Sequence, residues 1–262
     1  MIRALRTASL GMYSQSLRVD NIANNLANTN TNGFKKSAIQ FQELFYETLQ
    51  PAGVVDQLNT ELPTALQVGH GNRPVSSMKS FAQGDINRTD NPLDVAIEGT
   101  GFFQITLPDG TLAYTRDGNF SISSEGQIVN SSGLALEPAI TIPQDAQYVN
   151  IGVDGVVSVV MPGEAEPQEI GQIELAKFIN PGGLKNMGSN LLAQTEASGD
   201  PILGNPGTEG NGRVMQGYIE KSNVNVVDEM VELIVAQRAF EVNSKAIRTA
   251  EQMMELANNI KR

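Results

Sequence analysis

Residues 226–260 read VVDEMVELIVAQRAFEVNSKAIRTAEQMMELANNI, a run in which apolar and small side chains recur in steps of three and four. Asn225 precedes the run and can cap it, and Asp228 lies in the first turn, where a negative charge is favourable. The pattern therefore predicts a helix near 226–260 whose seam faces another helix. The seam comprises Leu233, Ala236, Phe240, Asn243, Ile247, Ala250, Met254 and Ala257.

The early turns of this predicted helix carry a second apolar stripe. Val227, Met230, Val231 and Ile234 lie outside the seam and widen the apolar face of the helix near its start. The second stripe therefore predicts a wider apolar face in the first turns of the helix.

The amino-terminal thirty residues carry a weaker seam of the same kind, and they predict a helix over about residues 3–30. Residues 21–36, NIANNLANTNTNGFKK, are rich in asparagine, whose side chain competes for backbone groups and lowers helix stability. Gly33 suits the left-handed conformation that often follows a helix, so we expect the helix to stop at Asn32-Gly33. The seam comprises Leu5, Ala8, Met12, Gln15, Val19, Ile22, Leu26 and Thr29.

Between the two helical segments the apolar pattern changes to a period of two, which is typical of β-strands. Residues 46–69 lack helical periodicity and are interpreted as an extended connection. The central part is therefore predicted to be antiparallel β-sheet. The short runs are separated by turn signals at Asp109-Gly110, Asp117-Gly118, Glu125-Gly126 and Asp154-Gly155.

These patterns predict an α+β fold. The long terminal helices pair into a coiled-coil-like domain, and the middle of the chain forms a second, mainly antiparallel β domain. We divide the chain into residues 1–36, an amino-terminal helix with the asparagine-rich motif, and residues 37–70, an extended linker. Residues 71–218 form the β-rich domain, and residues 219–262 form the carboxy-terminal helix.

The composition restricts the classes of partner. The 262 residues include 18 Lys and Arg against 29 Asp and Glu, a formal charge of −11, which argues against nucleic acid or an anionic membrane as the main partner. The chain has no cysteine, so disulfides, thiolate catalysis and cysteine-ligated metals are excluded. The first residues are too polar for a Sec signal peptide, and no segment is long and apolar enough to span a bilayer.

Residues that could carry catalysis are sparse. His70 is the single histidine and lies between two glycines, without a second histidine for a metal site or a nucleophile beside it, so we interpret it as a loop residue. The glycine pairs at 69–71 and 99–101 match no phosphate-binding motif, and the DNPLD sequence at 90–94 lacks the residues of a calcium loop. We expect no catalytic residue, cofactor, metal or small-molecule substrate.

The helical seams have two interpretations. Stripes at helical spacing usually mark helices packed on their own domain. Here the seams contain small and polar residues such as Ala236, Gln15 and Asn243, so an isolated two-helix pair would be marginal, and small residues allow several helices to approach closely. A rival hypothesis is an enzyme or carbohydrate-binding protein with a β body and dimerising helices, which would need convergent carboxylates or aromatic side chains in a concave site.

Three stretches together resemble the axial proteins of the bacterial flagellum, the rod and hook subunits. The resemblance covers essentially the whole chain, and the total length and residues 46–68 are similar to the distal rod members. The stretches are NIANNLANTNTNGFKKS, PLDVAIEGTGFFQITLPDGTLAYTRDGNFSIS and SNVNVVDEMVELIVAQRAFEVNSKAIRTAEQMME.

The resemblance implies a structural subunit of the distal rod, which polymerises into a stiff helical tube that transmits torque from motor to hook and encloses the export channel. The alternative within the family is a hook or proximal rod subunit. In such proteins the terminal helices pack with those of other subunits into an inner tube. The implied assembly residues are Leu5, Met12, Val19, Ile22, Asn24, Asn25, Leu26, Ala27, Asn28, Gly33, Phe34, Leu233, Phe240, Asn243, Ile247 and Met254.

The resemblance also implies partners and a location. The partners would be further copies of the chain in a helical polymer, proximal rod proteins, the hook protein or hook-junction end, basal-body ring proteins and the flagellar export apparatus. The subunit would lie in the flagellar basal body, in the periplasm of a two-membrane cell, after export without a Sec signal peptide. Residues 46–68 would supply the extra contact between subunits that makes a rod stiff.

Overall fold

The computed structural model describes residues 2–53, 63–163, 167–208 and 210–260. The chain forms two compact units. The helical unit combines Met1–Leu26, Ser37–Met78 and Asn225–Arg262, and the β unit combines Ala27–Lys36 with Lys79–Val224. The asparagine-rich motif is therefore divided between the two units.

The helices are α1 (Ile2–Ala27) and α2 (Val226–Ile260), and residues Pro181–Gly183 form one turn of 3₁₀ helix. The strands of the described residues are β1 (Ser37–Glu43), β2 (Tyr46–Gln50), β3 (Leu66–Gly69), β4 (Asn72–Lys79), β5 (Ile86–Arg88), β6 (Val95–Glu98), β7 (Phe102–Thr106), β8 (Leu112–Thr115), β9 (Phe120–Ile122), β10 (Ile128–Asn130), β11 (Leu136–Glu137), β12 (Tyr148–Ile151), β13 (Val156–Val160), β14 (Gln168–Gln172), β15 (Leu175–Lys177), β16 (Lys185–Gly188), β17 (Leu191–Ala193), β18 (Ile202–Gly204), β19 (Arg213–Gln216) and β20 (Tyr218–Glu220).

The predicted α+β class is confirmed, because two long terminal helices contact each other and antiparallel sheets lie between them in the sequence. The predicted cap of α2 is confirmed as well, since the backbone N–H of Val227 donates to Oδ1 of Asn225 over 3.0 Å. The predicted end of α1 is wrong by about three residues. The helix ends at Ala27 because Asn28 and Thr31 bond to each other through their backbone and side-chain groups and form a turn instead.

Two pairs of strands complete the helical unit. Strand β1 pairs with β4, and β2 pairs with β3 in antiparallel register, with Tyr46 opposite Gly69. The interpretation of residues 46–69 as extended holds for the two flanks, which form β2 and β3. Residues 54–62 of that segment lie outside the described residues.

The β unit is built on a seven-stranded sheet with strand order β16-β17-β8-β7-β15-β18, in which β11 also pairs with β7. A three-stranded sheet, β12-β13-β14, and three two-stranded sheets surround it. The strand pairings are antiparallel, as predicted. Three of the predicted turn glycines, Gly110, Gly126 and Gly155, have positive φ as the turns require, whereas Gly118 does not.

The β unit contains the hydrophobic core of the chain. Its largest cluster joins the inner faces of several strands, and Phe103 packs edge to face on Phe120 with ring centroids 5.2 Å apart. A second cluster packs Tyr114 on Phe178 at 4.7 Å. We therefore expect the β unit to fold on its own contacts.

Candidate assembly surface

Helices α1 and α2 form an antiparallel pair. Arg18 lies 3.4 Å from Glu232, and the amide of Asn25 donates to Glu229 over 3.1 Å. Near the other end, Arg6 and Met254 line the same pocket. The start of α1 is therefore beside the end of α2.

The predicted seam residues lie mostly in the half-buried part of this pair. Ile22 is buried, Phe240 is 42% exposed, and the small residues Ala236 and Ala250 are buried. The pair thus encloses few large apolar side chains. The half-buried members of the predicted set are Leu5, Met12, Val19, Leu26, Leu233, Asn243, Ile247 and Met254.

The two helices approach closely at Gly11. A Cβ built on Gly11 would lie 2.9 Å from Nδ2 of Asn243, so the polar seam residue of α2 occupies the space that a larger residue of α1 would fill. Glycine inside a helix costs about 1 kcal/mol relative to alanine. Its occurrence here is explained by the space that Asn243 needs, and a polar residue at a seam position specifies register.

Asn25 joins three segments of the helical unit. Its Oδ1 accepts from the backbone N–H of Ser37 over 3.1 Å, and its Nδ2 donates to the carbonyl of Ser37 over 2.9 Å as well as to Glu229. The side chain is 1% exposed. Asn25 therefore connects the end of α1 to β1 and to the start of α2, which explains one asparagine of the motif by contacts within the chain.

The other motif asparagines predicted for assembly have different surroundings. Asn24 and Ala27 are exposed, whereas Asn28 is half-buried in the turn that ends α1. The asparagine-rich segment is therefore not one uniform surface.

Gly33 and Phe34 belong to the β unit. Gly33 has φ +66°, and a Cβ there would lie 2.6 Å from the backbone nitrogen of Asp117. Its N–H donates to the carbonyl of Glu220 over 2.8 Å, and the ring of Phe34 lies 5.5 Å from the ammonium of Lys79. Only glycine combines this conformation with this close approach, so the predicted residue has a role within the chain.

A buried charge cluster holds the end of the motif to the β unit. The carboxylate of Glu220 accepts from the ammonium of Lys35 over 2.6 Å and from the guanidinium of Arg116 over 3.3 Å. The three side chains are 3%, 4% and 0% exposed for Lys35, Arg116 and Glu220. Burial lowers the pKa of the Lys35 ammonium and of the Arg116 guanidinium, and Glu220 partly opposes both effects.

This cluster, which we call the Glu220 cluster, was missed at the sequence level. Lys35 and Glu220 are 185 positions apart, and Lys35 lies in a polar run that is typical of a solvated loop. No periodicity connects such residues. The only available signal was the neighbouring Asn32-Gly33 pair, which marks a fixed turn but names no partner.

The second apolar stripe of α2 is exposed. Val227, Met230, Val231 and Ile234 are 68%, 51%, 55% and 56% exposed. At 100° per residue they lie on the side opposite Ala236 and Ala250, which face α1. The helical unit therefore has an apolar surface, the α2 stripe, that no described residue covers.

A further apolar group lies on the strands of the helical unit. Phe45, between β1 and β2, is 91% exposed, and Tyr46, Leu49 and Leu66 are each at least half exposed. A contiguous exposed apolar surface in a soluble protein usually marks an interaction site.

Among the described residues, no group of three or more His, Asp or Glu side chains is placed to bind a metal ion. Neither described helix is apolar enough over sufficient length to cross a membrane. His70, predicted as a loop residue, lies between β3 and β4 with its Nε2 3.9 Å from Glu47.

Three family models match separate parts of the chain. They describe a flagella basal body rod protein over residues 5–35, the D1 domain of the flagellar hook protein FlgE/F/G over 96–159, and the carboxy-terminal part of the flagellar basal body rod FlgEFG protein over 215–260. The matches therefore include both long helices and part of the β unit.

Full-length relatives agree with these matches. The chain is 50% identical to the flagellar basal-body rod protein FlgG of Borreliella burgdorferi over 264 residues, covering 100% of both chains. It is 48% identical to FlgG of Buchnera aphidicola subsp. Schizaphis graminum over 97% of this chain and 98% of the relative. It is 38% identical to FlgG of Bacillus subtilis over 100% of both chains.

Proposed function

Because this chain belongs to the FlgG family of flagellar basal-body rod proteins and is a structural, non-enzymatic subunit, we propose that it forms the distal part of the rod. There it polymerises into a stiff helical tube that transmits torque from motor to hook and encloses the export channel. The hook or proximal rod subunit remains the alternative within the same family.

The observation that carries the proposal is the contrast between the two units. Within the described residues, the buried apolar side chains of the helical unit are Ile22, Ala236 and Ala250, while both hydrophobic clusters belong to the β unit. The helical unit nevertheless exposes the α2 stripe and Phe45. A unit that buries little and exposes much apolar surface gains most of its stability from neighbours.

Assembly and ordering of the helices are coupled on this basis. Isolated helices in water are marginal, and burial of an apolar face supplies most helical stability in proteins. Residues 1–36 and 219–262 supply the helices of the inner tube, and Ala27–Lys36 belongs to the β unit. Residues 37–70 are the linker, whose strands β1, β2 and β3 belong to the helical unit, and residues 71–218, apart from β4, form the outer domain. In the monomer α1 and α2 open readily, and in the polymer each α2 stripe is covered by another copy.

The assembly residues divide into three groups. The α1 and α2 seams, from Leu5 to Leu26 and from Leu233 to Met254, orient the pair that presents the outer stripe. Asn24, Ala27 and the exposed ring of Phe240 contact other subunits directly. Asn25, Asn28, Gly33 and Phe34 act by fixing the chain within the motif and beside it.

The subunit is a rod component that assembles with basal-body proteins. Its specific neighbours are proximal rod proteins on one side, the hook protein or hook junction on the other, and the ring proteins around the rod. It reaches this place through the flagellar export apparatus without a Sec signal, and in a two-membrane cell it lies in the periplasm. Residues 46–68 stiffen the tube through an added contact between subunits.

Polymerisation of the purified full-length chain tests the proposal. Wild type and Ile234→Asp are concentrated in parallel and imaged by electron microscopy, with Gln168→Asp, an exposed change on β14 of the β unit, as the control. We expect tubes from wild type and the control and none from Ile234→Asp, because an aspartate on the α2 stripe cannot be buried unpaired. A wild-type chain that stays monomeric at every concentration, or tubes from Ile234→Asp, would contradict it.

The distal assignment has its own test. Deleting residues 54–62 should leave a polymer that bends more easily, measured as a shorter persistence length in micrographs. A deletion polymer as stiff as wild type would favour the hook or proximal rod alternative.

A further inference from the structure

We propose that the helical unit associates head to tail with a second copy of the chain, through a basic pocket at one end and the acidic first turn of α2 at the other. The pocket is lined by Ile2, Arg3, Arg6, His70 and Met254, and its partner is centred on Asp228 of the next copy. This inference rests on the proposed polymer and names the contact that sets its direction.

The basic pocket combines apolar walls with cations. It has a volume of about 790 Å³, Ile2 is 80% exposed, and the guanidinium of Arg3 forms an ion pair with Glu47. Arg6 forms no ion pair with any described carboxylate. The pocket therefore has an unneutralised guanidinium beside apolar surface, which suits a carboxylate that carries apolar neighbours.

The opposite end of the unit has the complementary chemistry. Asp228 is exposed in the first turn of α2, and Val227 and Val231 beside it are 68% and 55% exposed. Glu229 is buried, and Glu232 forms the ion pair with Arg18, so Asp228 is the exposed carboxylate of this turn. Asp228 is therefore surrounded by exposed apolar side chains, as Arg6 is in the pocket, and it carries the opposite charge.

The two features are far apart on one copy. Because α1 and α2 are antiparallel, the pocket is near the start of α1, and Asp228 is near Asn25 at its end. Nineteen residues of helix separate Arg6 from Asn25, or about 28 Å at 1.5 Å per residue. One copy therefore cannot satisfy its own pocket with its own Asp228.

Contact between two unlike patches has a consequence for assembly. Such a heterologous contact leaves one free patch at each end and generates an open polymer unless a ring closes. Pairing of two pockets or two acidic turns would place like charges together, which disfavours a closed two-fold dimer. The charge distribution thus favours a polymer with a defined direction.

Charge reversal tests the contact by mixing. Arg6→Glu alone places two carboxylates at each junction, and Asp228→Arg alone places two guanidinium groups there, so each variant should raise the critical concentration for polymerisation by about tenfold or more. In an equimolar mixture the two variants can alternate along the polymer. At one kind of junction the introduced glutamate then meets the introduced arginine, and at the other kind the native Arg6 meets the native Asp228. The mixture, and the double variant, should therefore polymerise near the wild-type concentration.

The matched control is Lys185→Glu, an exposed reversal on β16 of the β unit, which should polymerise as wild type does. Each monomer is first checked by melting of the β unit. Asp228 also stabilises the first turn of α2, so salt provides a second measurement. Sodium chloride should raise the critical concentration of wild type, because it screens an attraction, and lower that of Arg6→Glu, because it screens a repulsion.

The outcomes separate this inference from the proposed function. If wild type forms no polymer, the proposed function fails. If wild type polymerises and the single reversals polymerise equally well, or if both are impaired but mixing restores nothing, the head-to-tail contact is wrong while the polymer stands.

Discussion

Substituting Glu220 by glutamine should destabilise the β unit strongly. The carboxylate is the only anion of the Glu220 cluster and is fully buried, 2.6 Å from Lys35 and 3.3 Å from Arg116. It also accepts the backbone N–H of Gly84 over 2.9 Å. Glutamine keeps the shape and one acceptor, but it leaves two buried cations without a counter-charge.

The expected loss follows from the burial. Removing one partner of a buried ion pair costs about 3–5 kcal/mol because an uncompensated charge stays buried. For a unit of this size, 1 kcal/mol shifts the melting temperature by about 2–4 °C, so the midpoint should fall by roughly 10 °C. Since native domains have about 5–15 kcal/mol in total, the variant should still fold at low temperature.

The loss should depend on pH in a defined direction. Burial lowers the pKa of Lys35 below its ordinary value of 10.5, and removal of Glu220 lowers it further. A lysine that binds its proton less tightly when folded makes the folded state more stable as pH rises towards 10.5. The deficit of Glu220→Gln should therefore be largest near neutral pH and shrink in alkaline solution.

Urea denaturation of the full-length monomer, followed by tyrosine fluorescence at pH 7 and pH 9.5, measures both effects. Glu169→Gln, an exposed change on β14, is the control and should be neutral. A loss below 1 kcal/mol at pH 7, or a deficit that does not shrink with pH, would refute the assignment of Glu220 as the essential counter-charge.

Three further measurements test other parts of the structure. Circular dichroism of dilute monomer should show much less helix than the 26 and 35 residues of α1 and α2, and full helicity would contradict coupled folding and assembly. Asn25→Ala should weaken α1 further, by about 1–3 kcal/mol, because Ser37 and Glu229 lose a buried partner; unchanged hydrogen exchange in α1 of the polymer would count against this role. Burial raises the pKa of the Asp117 carboxyl, so its contribution to stability is full below the unfolded value of 3.8 and is lost as pH rises through the folded pKa. The urea midpoint of wild type should therefore fall between pH 3 and pH 6, and Asp117→Asn should remove this fall. A fall of the same size in the variant would show that Asp117 is not its cause.

The elements were predictable from the sequence where one physical signal was strong and local. The period of three and four residues placed α2 at its observed bounds, because an uninterrupted run of 35 residues leaves little ambiguity. The period of two and the Asp-Gly turns identified the antiparallel middle. The end of α1 was less predictable, since Asn28 and Thr31 bond locally in a turn that competes with one further helical turn.

The roles of the motif residues were less accessible, because they depend on partners distant in sequence. Asn25 meets Glu229, and Lys35 meets Glu220, across separations of about 200 residues. Neither pair leaves a periodic trace in the sequence. The resemblance to the flagellar axial proteins identifies such positions as important. The contacts within the folded chain are needed to distinguish a residue that fixes the chain from one that faces another subunit.

Two parts of the subunit differ in how strongly they are held, and the difference suits a polymer of this kind. The turn at residues 33–35 is fixed by buried contacts, whereas the pair of α1 and α2 buries few apolar side chains. The Glu220 cluster can form only after β20 is present, so residues 33–35 become fixed when the β unit is complete. The helices beyond that point retain exposed apolar faces and a seam weakened by Gly11 and Asn243. A stronger seam or an apolar Asn243 would stabilise the monomer, and it would lower the gain in order and burial that favours addition to the polymer.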